Sequence, residues 1–145
     1  MSNERHYRKL EHMYYTARIN EYYKPVMRIA DGTAEVTIAL DEKFFHAANA
    51  THGSVYFKML DDAAFFAVNS VVEDVFVLTV TFNVHFLRPV DRGAIRAIGK
   101  LIFASKTMFV AEARLYNEQG KEIAFGSGTF MRSKMPLTED IGYRE

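Results

Sequence analysis

The residues with the clearest chemical potential lie in one stretch, which reads HGSVYFKMLDDAAFFAVNS from His52 to Ser70. Its apolar residues cover nearly the whole circumference of a helix, so other structure must wrap around it. Asp61 and Asp62 stand in its middle, although a desolvated carboxylate is costly without a partner and Asp is a poor helix-interior residue. We therefore expect a reason other than stability for a carboxylate at this place.

The first turn of the same helix offers hydrogen-bond donors. Backbone N–H groups at a helix N-terminus favour negative charge, and Gly53 has no side chain that would keep a ligand away from them. Burial should raise the pKa of Asp61, which suits a base that works near neutrality. Together these groups could activate an attacking group and stabilise a developing oxyanion.

If Gly53 and Asp61 act on the carbonyl group of one substrate, the spacing between them predicts a homo-oligomer. Gly53 and Asp61 are eight residues apart, which is about 12 Å along one helix. One carbonyl group cannot lie within hydrogen-bond distance of both. A working site therefore needs the helix start of one subunit and the Asp of another.

Composition excludes several classes of protein. The 145 residues fit a single domain, 1–145, and the 18 basic and 18 acidic residues balance, so nucleic acid and anionic membrane are not expected partners. There is no Cys, which excludes disulfides, thiolate metal sites and a Cys nucleophile. The five His residues lack ligand spacing, so no metal is expected. A charged N-terminus without an apolar segment predicts a cytoplasmic protein without a signal peptide.

Hydrophobic periodicity and turn residues predict the order helix–β–β–helix–β–β–β–β. The predicted bounds are a helix at 4–22, a hairpin at 26–30 and 33–40, a loop at 41–51, the central helix to about 72, strands at 75–88, 94–103, 108–116 and 121–132, and a loose tail at 134–145.

The side chains of these strands predict how the helix is seated. Alternation places one apolar set on a single face of the first long strand, namely Phe76, Leu78, Val80, Phe82, Val84 and Phe86, with Thr79, Thr81, Asn83 and His85 opposite. The following strands carry rows of small residues: Ala97 and Gly99, Ala111 and Ala113, and Ala124, Gly126 and Gly128. Such rows form a shallow seat, so we predict an α+β fold in which an antiparallel sheet wraps around a long central helix.

This order resembles the hotdog fold and, more narrowly, the acyl-CoA thioesterases of the phenylacetate-pathway type. The shared motif is His52-Gly53 with Asp61 nine residues after the His, followed by Ala64-Phe65, Ala67 and Asn69-Ser70; Phe86-Leu87-Arg88-Pro89 matches the end of a family strand. The resemblance covers residues 35–133. The chain departs from the family at Ser54, where a second Gly is usual, at His46, where Asn is usual, and at Asn49, where Gly is usual.

The resemblance implies acyl-CoA hydrolysis without a cofactor, at sites on a dimer interface. Asp61 would be the general base, or a nucleophile that forms a transient anhydride. Gly53 would be the oxyanion donor, and Thr79 falls where the family often has a Ser or Thr that holds water. The substrate-binding candidates are His46, Asn49, His52, Ser54 and Arg88.

Less specific roles remain for most of these residues. Asp61 could be a structural carboxylate bound to a neighbouring strand, and Thr79 a simple β-former. His52 fits a structural hydrogen bond at the helix start, whereas His46 fits a loop and an active site equally. Asp62 is expected to pair with Lys58 four residues earlier. Arg88, Lys106 and Arg132 could each meet coenzyme A phosphates or simply be solvated charges.

Three functions stay open at this point. The first is an acyl-CoA thioesterase, a homodimer or a dimer of dimers. The second is a hotdog hydratase or dehydratase, whose usual motifs are absent. The third is a regulatory module that binds acyl-CoA without turnover, against which the retention of Asp61 argues. The acyl group and the carrier, coenzyme A or a carrier protein, are not specified by these residues.

Overall fold

One curved sheet and one long helix make up most of the structure, a computed structural model that describes residues 3–145. The helices are α1 Glu4–Thr16, α2 Asn20–Tyr23 and α3 Gly53–Asn69, with short 3-10 helices at Glu42–Phe44 and Glu139–Ile141. The strands are β1 Val26–Ala30, β2 Thr33–Ala39, β3 Val75–Phe86, β4 Ala94–Ala104, β5 Met108–Tyr116 and β6 Glu122–Pro136. The predicted order of elements is confirmed.

The six strands form one antiparallel sheet in the order β1-β2-β4-β5-β6-β3. Helix α3 lies against β2 to β6, and its buried residues join those of the sheet in a single hydrophobic core. Strands β1 and β3 are the two edges. Among residues 3–145, no helix is long and apolar enough to cross a membrane.

The small residues of β4 seat the helix as predicted, whereas Gly126 and Gly128 of β6 make a different contact. A Cβ atom at Gly99 would overlap the main-chain carbonyl of Ala63, so α3 lies directly on β4 there. At Gly126 and Gly128 an added Cβ would instead overlap the Phe82 ring and the backbone of β3. The space beside Gly99 is thus filled by helix backbone, and the space beside Gly126 and Gly128 by an aromatic ring and strand backbone.

Strand β3 departs from the predicted alternation. Thr79 pairs with Phe130 and Thr81 with Thr129, which leaves Val80 as an extra residue in a β-bulge. The prediction that all six apolar residues of this strand share one face is wrong, because the bulge puts the residues before Val80 out of phase with those after it. Thr79 faces α3 instead. After the bulge, Phe82 and Phe86 share one face as predicted, and their rings lie against Phe57 and Tyr56 of α3.

The N-terminal helix is shorter than the predicted 4–22. It begins at Glu4, where the Asn3 side chain caps it by accepting from the His6 amide, and it ends at Thr16 because Ala17 is extended. The Tyr14 carbonyl at this helix end accepts from the Ala17 amide at 3.3 Å and from the Asn20 side chain at 2.7 Å.

The tail at 134–145 is held more closely than predicted. Strand β6 continues to Pro136. Beyond it, His6 Nδ1 lies 2.7 Å from the Tyr143 hydroxyl, and His12 Nδ1 lies 2.8 Å from the Gly142 carbonyl oxygen. These contacts fix the chain end against α1, and the polar composition of the segment gave no indication of them.

Replacing Gly99 tests the close contact between helix and sheet. Gly99→Ala should lower the free energy of unfolding by about 2–3 kcal/mol, because α3 must shift to admit one methyl group. Gly120→Ala is the matched control: nothing lies within 4 Å of its added Cβ, and only its φ of +82° is unfavourable, at about 1 kcal/mol. Urea denaturation measures both. An equal or smaller loss for Gly99→Ala would contradict direct seating.

Candidate active site

Asp61 lies in the middle of α3, facing the first half of β3. It is half-buried, and its Oδ1 atom accepts a hydrogen bond of 2.9 Å from the Thr79 hydroxyl. The bulge at Val80 is what turns Thr79 toward the helix. The Oδ2 atom accepts no hydrogen bond from any of residues 3–145 and stays open to the cavity beside it.

The surroundings of Asp61 raise its pKa to about 6. Burial is the largest cause, because it disfavours the charged form. The Thr79 hydrogen bond acts in the opposite direction, the charge of Asp62 raises the pKa further, and Lys58 lowers it. At neutral pH the carboxylate is therefore ionised but a stronger base than an exposed Asp.

The neighbouring carboxylate has different partners. Asp62 Oδ2 lies 2.7 Å from Lys58 Nζ and accepts a hydrogen bond of 2.7 Å from the Tyr14 hydroxyl. The predicted pair of Lys58 and Asp62 is confirmed, but its side chains are only 12% and 18% exposed. Burial raises the pKa of Tyr14, so its hydroxyl stays a donor. The helical spacing of Tyr14 indicated only a core residue, so its hydrogen bond to Asp62 was not predicted.

A cavity of about 570 Å³ opens beside Asp61. It lies between α1, α3, β3 and the C-terminal segment, and its wall includes both carboxylates and Thr79. The other residues of the wall are Met13, Tyr14, Ala17, Ile19, Asn20, Lys58, Phe65, Phe66, Phe76, Leu78, Met135 and Ile141.

The start of α3 borders a different cleft of about 270 Å³, lined by His46, Thr51, Gly53, Tyr56, Phe86, Leu87, Arg88 and Pro89. The His52 side chain caps the helix by accepting from the Ser54 amide at 3.0 Å. The Gly53 amide donates to none of residues 3–145. A Cβ at Gly53 would lie 3.3 Å from the Phe86 ring, so glycine keeps this edge of the cleft open.

The remaining candidates divide among three places. His46 and Arg88 share the cleft with Gly53, and the Arg88 guanidinium donates to the Glu122 carbonyl at 2.6 Å. Asn49 has the left-handed φ of +61° that its role in place of Gly suggested, and it lies in a neighbouring cleft with His46. His52 and Ser54 line a third cleft with α2.

Two other basic residues are not brought to either cleft. Arg132 pairs with Asp74 at 2.9 Å, and its guanidinium also donates to the Lys106 carbonyl at 3.1 Å. Neither Arg132 nor Lys106 lines the Asp61 cavity or the Gly53 cleft. Within residues 3–145, no three His, Asp or Glu side chains are grouped as metal ligands would be.

A family model described as the thioesterase superfamily matches residues 48–124, more than half of the chain. The PaaI protein from the phenylacetic acid degradation operon of E. coli has a similar structure, with a TM-score of 0.85 and 21% identity over 93% of this chain and 98% of that chain. A thioesterase of Haemophilus influenzae matches with a TM-score of 0.76 and 17% identity over 83% and 85% of the two chains.

A mutant of the phenylacetic acid degradation protein PaaI from Thermus thermophilus matches with a TM-score of 0.73 and 20% identity, over 81% of this chain and 100% of that one. No curated protein sequence matches. At these identities the structural matches establish the fold, and they confirm the predicted hotdog architecture.

The raised pKa of Asp61 makes a prediction about stability. The folded protein binds a proton at this group more tightly than the unfolded chain, whose Asp titrates near 3.8. This tighter proton binding stabilises the folded protein at low pH, and the stabilisation is lost as the pH rises through about 6. Asp61→Asn should be more stable than the wild type at pH 8, by roughly 1–3 kcal/mol, and the gain should shrink toward pH 4.

Asp62→Asn is the matched control for this measurement, which is urea denaturation at pH 5 and pH 8. It should be less stable than the wild type at pH 8, because it leaves the Lys58 ammonium group without its carboxylate. A gain for Asp61→Asn that is the same at both pH values, or a loss at pH 8, would contradict the assigned burial of an ionised Asp61.

Proposed function

The chain belongs to the thioesterase superfamily, and we propose that it hydrolyses acyl-CoA thioesters to a carboxylic acid and free coenzyme A. One observation carries the proposal: a half-buried carboxylate with a pKa raised to about 6 opens onto an apolar cavity, with one oxygen held by Thr79 and the other free. Burial and the neighbouring negative charge of Asp62 give Asp61 the basicity that a general base needs.

The chemistry has two forms that share these residues. In the first, Asp61 Oδ2 removes a proton from water, and the hydroxide attacks the thioester carbon while Thr79 holds Oδ1. In the second, Oδ2 attacks the carbon itself, and water later hydrolyses the anhydride. In both, negative charge develops on the carbonyl oxygen, the C–S bond breaks, and the coenzyme A thiolate leaves and takes up a proton.

The Gly53 amide is the donor that this developing charge requires. It is free, unlike the Ser54 amide, which His52 occupies, and it lies at the positive end of the α3 dipole. The usual second Gly of the family is Ser54 here, and the hydrogen bonds of Ser54 to His52 leave the amide before it unaffected. Arg88 lines the same cleft and is the basic residue that we assign to the coenzyme A phosphates.

The site is shared between two subunits. The Asp61 cavity and the Gly53 cleft have no lining residue in common, and they lie about 12 Å apart along α3. Strand β3 runs past both, with Thr79 near one and Phe86 in the other, and it is a sheet edge with unpaired backbone groups. Antiparallel pairing of two β3 edges about Phe82 and Asn83 brings the Asp61 of one subunit to the Gly53 end of the other.

Substitution of Asp61 tests the assigned reaction. Purified protein is assayed against saturated and aryl acyl-CoA thioesters by detection of free thiol. Asp61→Asn keeps the shape of the side chain but cannot accept the proton or attack, so turnover should fall by about 100-fold or more. Asp62→Asn, once shown to be folded, should retain far more activity. A folded Asp61→Asn protein with near-normal turnover would exclude this residue as the reactive carboxylate.

The pH dependence gives a second readout of the same assignment. Below about pH 6, the wild-type kcat/KM should fall as Asp61 is protonated. Release of thiol from none of the saturated or aryl thioesters, together with addition of water to an enoyl-CoA, would favour the hydratase reaction instead. Tight binding of acyl-CoA without either reaction would favour a regulatory module.

Mixed dimers test whether the site is shared. Gly53→Val damages the donor end, Asp61→Asn damages the base, and each variant alone should be inactive. After unfolding and random reassembly in equal amounts, about half of the dimers are mixed, and each has one intact and one doubly damaged site. About a quarter of wild-type activity should return.

The control for this experiment is the oligomeric state of each parent and of the mixture, measured by light scattering. If mixed dimers form and the activity stays at the level of the parents, Asp61 must work within its own chain.

A further inference from the structure

The cavity beside Asp61 ends against the N-terminal helix. Its wall begins at the Asp61 and Thr79 pair, and its other side is formed by Met13, Tyr14 and Ala17 at the end of α1. The reacting group and this helix therefore face the same space. A substrate group that extends from a thioester at Asp61 into this space meets α1.

The surface between these two points is mainly aromatic. Phe65 lies one helical turn after Asp61, and its ring centroid is 5.0 Å from that of Phe66 and 5.1 Å from that of Phe76. Tyr14 continues the cluster, 5.1 Å from Phe66 in an edge-to-face arrangement. Such a wall gains free energy by burying hydrocarbon.

Apart from the reactive Asp61, the charged residues of the wall neutralise each other. Lys58 Nζ pairs with Asp62 at 2.7 Å and also lies 5.3 Å and 5.0 Å from the ring centroids of Tyr14 and Tyr23. The Tyr14 hydroxyl supplies a further hydrogen bond to Asp62. This group needs no ion from a ligand, so the cavity suits an uncharged occupant.

Helix α1 is a fixed wall. Glu11 is buried and accepts a hydrogen bond of 2.8 Å from the Ile29 amide, while Arg8 pairs with Glu11 at 2.9 Å and donates to the Ile29 carbonyl at 2.7 Å. These contacts tie α1 to β1. Tyr14, three residues after Glu11, also ties the helix to α3 through its hydrogen bond to Asp62.

We propose that this cavity holds the acyl group and that Met13, Tyr14 and Ala17 at the end of α1 limit its length, so that acyl groups that extend into the cavity are preferred over acetyl, and groups too long for it are disfavoured. The inference rests on the proposed thioester hydrolysis. A volume of about 570 Å³ lies in the middle of the range of roughly 300–1,000 Å³ for small-molecule sites, which suits an acyl tail while the coenzyme lies outside.

Two substitutions change the cavity in opposite directions. Phe76→Ala removes an aromatic ring from the wall, and Ala17→Leu adds three carbon atoms beside α1. Neither residue touches the reacting atoms in the proposed mechanism. Phe103→Ala and Ala104→Leu are matched controls, because both residues are exposed on β4 and neither lines the cavity.

The measurement is kcat/KM for saturated acyl-CoAs from acetyl to hexadecanoyl. In the wild type it should rise by about fourfold per methylene group up to the limit of the cavity and then fall. Phe76→Ala should move the optimum to longer chains, Ala17→Leu to shorter chains, and the controls should leave it unchanged. If Ala17→Leu does not fold, Phe76→Ala decides alone.

The outcomes separate this inference from the function on which it rests. Turnover with a length profile that Phe76→Ala leaves unmoved would overturn the acyl pocket and keep the hydrolase. If no thioester is hydrolysed, the hydrolase fails, and calorimetry with octanoyl-CoA and free coenzyme A tests the pocket directly. Equal binding of the two ligands by the wild type would then overturn the pocket as well, whereas tighter binding of octanoyl-CoA that Ala17→Leu weakens would support it.

Discussion

The contact on which the rest of the structure depends is the direct seating of α3 on the sheet. Gly99 leaves no side chain between β4 and the Ala63 carbonyl, and fully buried alanines continue the seat at Ala97, Ala111 and Ala113. Because the helix lies so close, the sheet can curve around it and reach both of its ends. Strand β3 then passes along the exposed side of α3, where it faces first Asp61 and later the helix start.

A helix wrapped in this way places its polar residues under strong constraint. The two adjacent carboxylates meet that constraint differently. Asp62 is matched by Lys58 and Tyr14, whereas Asp61 has one neutral donor and a raised pKa. Asp62 thus holds α1 against α3, whereas Asp61 binds a proton more tightly than an exposed carboxylate does. The difference arises from neighbours that are distant in sequence.

Much of the fold could be predicted from sequence, since it depends on local patterns. The central helix, the Asp31-Gly32 hairpin and the small residues of β4 to β6 each follow from periodicity or turn chemistry within a short segment. The pairing of Lys58 with Asp62 follows from helical spacing in the same way. What could not be predicted depends on contacts between distant segments: Tyr14 reaching Asp62, Asn20 ending α1, and the tail packing on His6 and His12.

The orientation of the β3 side chains before the bulge at Val80 was predicted wrongly, for a physical reason. A run of alternating residues gives no indication that one of them is unpaired, because the extra residue is visible only against the partner strand β6. The motif residues Gly53 and Asp61 were found correctly in place on α3, and their separation into two clefts agrees with the rise of a helix. The side of Thr79, however, was predicted from the wrong phase of its strand.

The same bulge divides β3 into two segments whose side chains are out of phase with each other. Substitutions alter one position at a time, but loss or gain of a single residue at Val80 would rotate every side chain on one flank by half a turn. A single inserted or deleted residue would therefore replace the β3 side chains that line the Asp61 cavity. The aromatic side chains beyond Thr81 would keep their present orientation. Relatives of this chain that differ in length at this position are where altered chemistry on an unaltered core should be sought.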